Sequence, residues 1–167
     1  AEWLYNLSKS DGNTKININA ESDSAFRWSC VEGHKEIAEW LYNLSNSDGN
    51  TKININADSE YAFIWSCTRG HKEVAEWLYN LSKSDGNTKI NIRNKSDYAF
   101  RYSCDFGHKE VAEWLASLCP DYELVIENNE IKSYKIIKLK DRIKDKTTEE
   151  IIKILNIKTE PKSENTN

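Results

Sequence analysis
The chain has 167 residues, 38% hydrophobic and 30% charged, with a net charge of −4. That balance excludes both a disordered polyelectrolyte and a helical membrane protein, since no apolar run approaches the roughly 18 residues a spanning helix needs. The charge is uneven: residues 1–127 sum to −7 and residues 128–167 to +3, so the larger part lacks the basic stripe that marks a nucleic-acid surface.

The chain opens on Glu2-Trp3-Leu4-Tyr5-Asn6-Leu7, whose pattern returns at Glu39-Trp40-Leu41-Tyr42-Asn43-Leu44. Phe26, Phe63 and Phe100 recur every 37 residues, and so do Cys30, Cys67 and Cys104, and His34, His71 and His108. A fixed period of this size predicts a stacked repeat array in which each unit buries its apolar face against the next. The expected division is a partial repeat at 1–19, copies at 20–56, 57–93 and 94–121, and a C-terminal capping segment at 122–167. With no methionine at position 1 and an opening inside a second helix, the sequence predicts a piece of a longer array. Trp3, Leu4 and Leu7 are then expected to fray or associate.

Within one copy, Ala25, Phe26, Ser29 and Cys30 fall on one stripe of a short first helix, with Ser22 and Asp23 reading as its caps. Gly33 ends it. A second helix is predicted from about Lys35 to Ser45, with Ile37, Trp40, Leu41 and Leu44 inward and Lys35, Glu36 and Glu39 outward. Ser47-Asp48-Gly49-Asn50 reads as a turn, and Thr51 to Asn56 alternates like a short extended segment.

The run Ser24-Ala25-Phe26-Arg27-Trp28-Ser29-Cys30, followed by Gly33-His34, Glu36-Ile37-Ala38 and Trp40-Leu41-Tyr42, resembles the ankyrin repeat. It is most similar to the Ala-Phe, Gly-His variety abundant in giant viruses of amoebae and in protists. The resemblance implies an all-α helix-turn-helix solenoid and a non-enzymatic protein-interaction module. The chain's cysteines, expected as free thiols, point to a cytoplasmic or other reducing compartment, the host cell's if the source is viral. The resemblance also makes the histidine of Gly-His a loop-stabilising residue. The chain departs from the family in its Thr-Pro-Leu-His opening, replaced here by Ser24-Ala25-Phe26-Arg27 and its copies. The period also exceeds the usual one of about 33 residues, with about seven residues inserted after the second helix and about three missing at the finger tip. A structural spacer in a longer protein whose activity lies upstream is the alternative.

The binding surface is sought among positions that change between copies. Ser24, Arg27, Val31 and Glu32 become Tyr61, Ile64, Thr68 and Arg69, then Tyr98, Arg101, Asp105 and Phe106. These twelve are the candidate protein-binding residues, on the side of the first helix away from Phe26 and Cys30. The resemblance implies the same concave face, and Tyr and Arg are hot-spot types. Trp28 and Trp65 stand equally between this face and the core.

No catalytic, cofactor-binding or metal-binding residue is assigned. The Cys30–His34 spacing supplies two ligands where a structural zinc needs four, and a Cys-His pair copied three times is unlike a single activated nucleophile. Successive repeat cysteines are expected about 8–10 Å apart, too far for a disulfide, so they and Cys119 are expected as free thiols. The Asn-x-Ser triplets at Asn6, Asn43 and Asn80 sit at helix ends, where glycosylation is not expected; Asn94 begins a fourth. The expected partner is a protein, with no small-molecule substrate, nucleic acid or membrane.

After Pro120 the pattern changes. Tyr122 to Ile126, Asn128-Asn129 and Ile131 to Ile137 predict a hairpin, and Thr147 to Glu150 predict a capping box opening a helix at Ile151-Ile152. Lys132, Lys135, Lys138, Lys140, Arg142, Lys144 and Lys146, interleaved with Asp141 and Asp145, read as a solvated face. Residues 161–167 are expected to be disordered.

Overall fold
The structure, a computed structural model, describes residues 5, 6, 8, 16–47, 51–84, 88–138, 141, 143, 144 and 146–155. The expectations for Trp3, Leu4 and Leu7, for the turn at 48–50 and for the tail at 161–167 lie outside them. Helices come in pairs: α1 (Ala20–Val31) with α2 (Lys35–Ser47), α3 (Ala57–Thr68) with α4 (Lys72–Ser84), and α5 (Asn94–Asp105) with α6 (Lys109–Leu118). Two strands follow, β1 (Tyr122–Glu127) and β2 (Glu130–Ile136), then helix α7 (Thr148–Leu155). The class is therefore mostly helical rather than all-α. The chain divides into two compact units, Ala1–Ala112 and Glu113–Asn167.

In the first unit α1 packs on α3 and α3 on α5. Each first helix ends the same way. Gly33 takes φ +77°, its N–H bonds the Cys30 carbonyl at 3.2 Å, and the His34 N–H bonds the Ser29 carbonyl at 2.8 Å. This is the double-bonded Schellman stop, which satisfies carbonyls the helix itself leaves open. Gly70-His71 and Gly107-His108 repeat it. A Cβ on Gly33 would lie 2.5 Å from His71 Nδ1, and one on Gly70 would lie 2.6 Å from His108 Nδ1. The His71 and His108 rings are thus seated against the glycine of the preceding copy, a contact only glycine permits.

The predicted caps at Ser22 and Asp23 are corrected. Glu21, Ser22 and Asp23 all have positive φ, as do Asp58, Ser59 and Glu60, and Lys95, Ser96 and Asp97. Left-handed backbone costs a non-glycine residue about 1–2 kcal/mol, so each triplet needs offsetting bonds. The third residue supplies them through its carboxylate. Asp23 accepts from Asn19 Nδ2 at 2.7 Å and from the Asn54 N–H at 3.4 Å. Glu60 accepts from the Asn91 N–H at 2.8 Å and from Asn94 Nδ2 at 2.9 Å. The side chains expected to cap their own helix instead tie one copy to the next, 31 residues on.

Phe26, Phe63 and Phe100 have no exposed surface, nor do Cys30 and Cys67. Burying a side chain of this size contributes about 1.5–3 kcal/mol. The inward face of the second helix is rotated from the predicted one. Ala38, Leu41, Tyr42 and Ser45 are buried, whereas Trp40 and Leu44 are half-buried and Ile37 is 40% exposed. The rotation serves stacking: Trp77 lies 6.2 Å from both Phe26 and Tyr42 of the preceding copy, and Trp40 lies 5.9 Å from Tyr5. Ala25, expected on the packed stripe, is exposed, although Ala62 and Ala99 are buried.

The segment at 51–56 alternates as expected, with Ile53 and Ile55 buried and Lys52 and Asn54 exposed, but forms no strand. Side-chain bonds hold it instead. Ser45 Oγ accepts the Ile53 N–H at 3.2 Å, as Ser82 does for Ile90 and Ser8 for Ile16. The Asn54 side chain accepts the Asn56 N–H at 3.0 Å, an Asx turn copied at Asn17 and Asn91.

In the second unit β1 pairs antiparallel with β2, with an irregularity between Val125 and Ile126. Asn128 and Asn129 at φ 50° and 67° make the turn, matching the left-handed requirement of a two-residue hairpin. The capping box forms as expected: the Thr147 N–H bonds Glu150 Oε2 at 2.9 Å and the Glu150 N–H bonds Thr147 Oγ1 at 3.3 Å. The Thr147 backbone, then Lys146, hold the Glu150 carboxyl below its usual range.

Candidate functional site
The changing positions of the three first helices divide by burial. Val31 is 1% exposed, Ile64 3% and Thr68 3%, so these three, expected on the surface, are corrected to the interior. Thr68 also bonds its hydroxyl to the Ile64 carbonyl at 2.9 Å. Asp105, the copy of Val31 and Thr68, is exposed. A position that varies between copies is free of a fixed residue type, not free of packing.

Ser24, Tyr61 and Tyr98 are half-buried, and Glu32, Arg69, Arg101, Asp105 and Phe106 are exposed. Two of the arginines pair between copies. Arg27 bridges to Asp58, reaches the Glu21 carbonyl at 3.0 Å and lies 5.6 Å from the centre of the Tyr61 ring. Arg69 bonds Glu32 at 2.8 Å. Both pairs sit at or near the surface, where such bridges are worth about 0–1 kcal/mol. Their effect is to neutralise charge along the ribbon.

The aromatic members form a continuous run. Tyr61 and Trp65 lie 5.8 Å apart, Trp65 and Tyr98 6.4 Å, Tyr98 and Tyr102 3.9 Å and stacked, and Tyr102 and Phe106 5.6 Å. A hydrogen bond with Tyr102, and then burial, push the Tyr98 phenol up, so it stays a neutral hydroxyl at neutral pH. Trp65 and Tyr102 belong to this run but were not among the candidates. Trp28, left between face and core, is 53% exposed. The recurrence of an aromatic at 28, 65 and 102 on an otherwise changing face was the signal available for all three.

Beside the Gly-His turns is a shallow groove of about 370 Å³ lined by His71, Lys72, Glu73 and Glu110 among others. Burial lowers the His71 imidazole, against the opposing influence of Glu32. The repeat cysteines lie elsewhere: burial pushes the Cys30 and Cys104 thiols up to about 12 and Cys67 higher still. Thiols in that range present almost no thiolate at neutral pH, so they pack rather than react. Among the described residues, none of the four cysteines forms a disulfide. Among the described residues, no three His, Cys, Asp or Glu side chains converge as metal ligands would, and no helix is long and apolar enough to cross a membrane.

The turn, the paired helices and their period together define the unit. Residues 23–79 match the family model for ankyrin repeats (many copies). The matched span runs from the end of the first left-handed triplet to Tyr79 in α4, taking in two ankyrin-like Gly-His turns. No curated protein and no solved structure matches the chain.

Proposed function
We propose that the chain is a non-enzymatic protein-binding module whose contact surface is the ribbon of first-helix side chains across the three copies. The observation that carries this reading is the run of neighbouring rings from Tyr61 to Phe106, with Arg101 exposed on the same helix as its last three rings and Trp28 exposed at the equivalent position of the first copy. Phe106 is exposed and the other four rings of the run are half-buried; contiguous, partly accessible aromatics rimmed by polar groups are the composition of interaction hot spots. The ankyrin-like character of residues 23–79 supports the same role. Of the twelve candidates, Ser24, Arg27, Glu32, Tyr61, Arg69, Tyr98, Arg101, Asp105 and Phe106 remain assigned to the face, joined by Trp28, Trp65 and Tyr102. The buried Val31, Ile64 and Thr68 are its support.

The testing experiment places a photo-crosslinking amino acid at position 28 or 105 and, as control, at position 132 on the exposed β2. A protein crosslinked from 28 and 105 but not from 132, and lost in a folded Arg101→Glu, Phe106→Ala variant, is the expected result. Equal labelling from all three positions, or none, would favour the spacer reading and overturn this one.

A further inference from the structure
We propose that the ribbon's partner is a proline-rich segment held as a polyproline helix, laid across the first helices with one turn per repeat. The inference rests on the protein-binding reading above and names the chemistry of the partner.

Spacing gives the first argument. First helices pack directly on one another, α1 on α3 and α3 on α5, and packed helices stand about 8–10 Å apart. A polyproline helix advances about 9 Å in each three-residue turn. Laid across the ribbon, it presents the same face to each copy in register. An extended β-strand, repeating every two residues or about 6.6 Å, falls out of step with the second helix.

Charge gives the second. Arg27 is matched by Asp58 and Arg69 by Glu32, and the ring ladder between them is uncharged. A neutral ligand leaves these pairs intact, whereas a charged one laid over Arg27 or Arg69 competes with a partner already in place.

Hydrogen bonding gives the third. The Tyr98 and Tyr102 phenols bond each other, which leaves the Trp65 indole N–H and the Tyr61 phenol O–H as the ladder's other polar groups, with the Arg101 guanidinium exposed beside them. Such a surface supplies donors. A run of prolines has carbonyl acceptors and no N–H of its own, so each leaves the other's excess satisfied. The ligand is also stiff before it binds, and aromatic grooves are where preformed polyproline helices dock.

The test is fluorescence anisotropy of labelled peptides of roughly three, six, nine and twelve prolines against the full chain. Affinity is expected to rise by about tenfold or more between six and nine prolines and to level off by twelve, once all three first helices are spanned. Trp28→Ala and Phe106→Ala alter exposed side chains and should leave the circular dichroism unchanged. Each is expected to weaken the nine-proline peptide by about fivefold or more. The inference is overturned if the peptides do not bind, if affinity ignores length, if glycine at every third position leaves it unchanged, or if a nine-lysine peptide binds more tightly. A crosslinked protein lacking proline runs would also overturn it while leaving the protein-binding reading standing. Failure of crosslinking as well would remove both.

Discussion

The copies at 20–56 and 57–93 share a sequence pattern and differ in what surrounds it. In the second, Ala62 and Val74 are each 1% exposed; in the first, Ala25 is exposed and Ile37 is 40% exposed. Ser66 bonds both the Ala62 carbonyl in its own helix, at 2.7 Å, and the Cys30 carbonyl of the preceding copy, at 3.0 Å. Around the first copy, Tyr5, Ile16, Ile18, Ala25, Ile37, Trp40 and Leu41 instead line an apolar groove of about 250 Å³. The same residues therefore contribute differently according to position in the stack. Stability belongs to the interface rather than to the copy.

The contrast is broken most severely at its centre. Phe63→Ala empties a fully buried site and is expected to cost about 3–5 kcal/mol in urea denaturation; a loss under about 1 kcal/mol would mean that the middle copy is not packed as described. Next come the turns. Gly70→Ala must bear both φ +80° and a contact at 2.6 Å with His108 Nδ1, whereas Gly107→Ala meets φ +74° with nothing within 4 Å. The second should cost about 1–2 kcal/mol and the first distinctly more. Equal losses would show that the imidazole yields freely.

A smaller pair sharpens the comparison directly. Val74→Ala is expected to cost about 1.5 kcal/mol, from its two lost carbons. Ile37→Ala, which removes one carbon more but from an exposed position, should cost less. If the order follows carbon count instead, the difference in burial is not what matters. Ser82→Ala removes the acceptor of the Ile90 N–H and is expected to lower the midpoint by the equivalent of about 1 kcal/mol.

The smallest effect is electrostatic. Burial lowers the His71 imidazole below its ordinary value, so the folded chain resists the proton more than the unfolded one. Its contribution is present above the unfolded pKa and is lost as pH falls from about 6.5 toward the folded value. Melting temperature should decline between pH 7.5 and 5, and less steeply in His71→Gln. Identical slopes would assign the decline to other groups.

The parts legible in sequence were those written in local chemistry. Gly33, Gly70 and Gly107 announce their Schellman stops, Asn128-Asn129 its turn and Thr147 to Glu150 its capping box, because each uses residues within a few positions of one another. The triplet at Glu21, Ser22 and Asp23 was not legible. Its residue types favour caps, and its stabilising partner, Asn54, lies 31 positions on. The site failed in the same way at Val31, Ile64 and Thr68, where variation was read as exposure. At Trp28, Trp65 and Tyr102 the recurring aromatic type was itself legible, but a search for changing positions passes over it.

The serine that grips the return segment also bears on the length of the period. Ser82 holds Ile90 eight residues later, and Ser45 holds Ile53 in the same way. Each bond closes a loop at two points anchored to the stack, so the chain between them can lengthen without moving a helix. Doubling such a loop costs only about 0.6 kcal/mol of closure entropy. The helices could accordingly keep their spacing if residues were added there. The same clasp makes that loop a natural port for grafting foreign segments onto the stack.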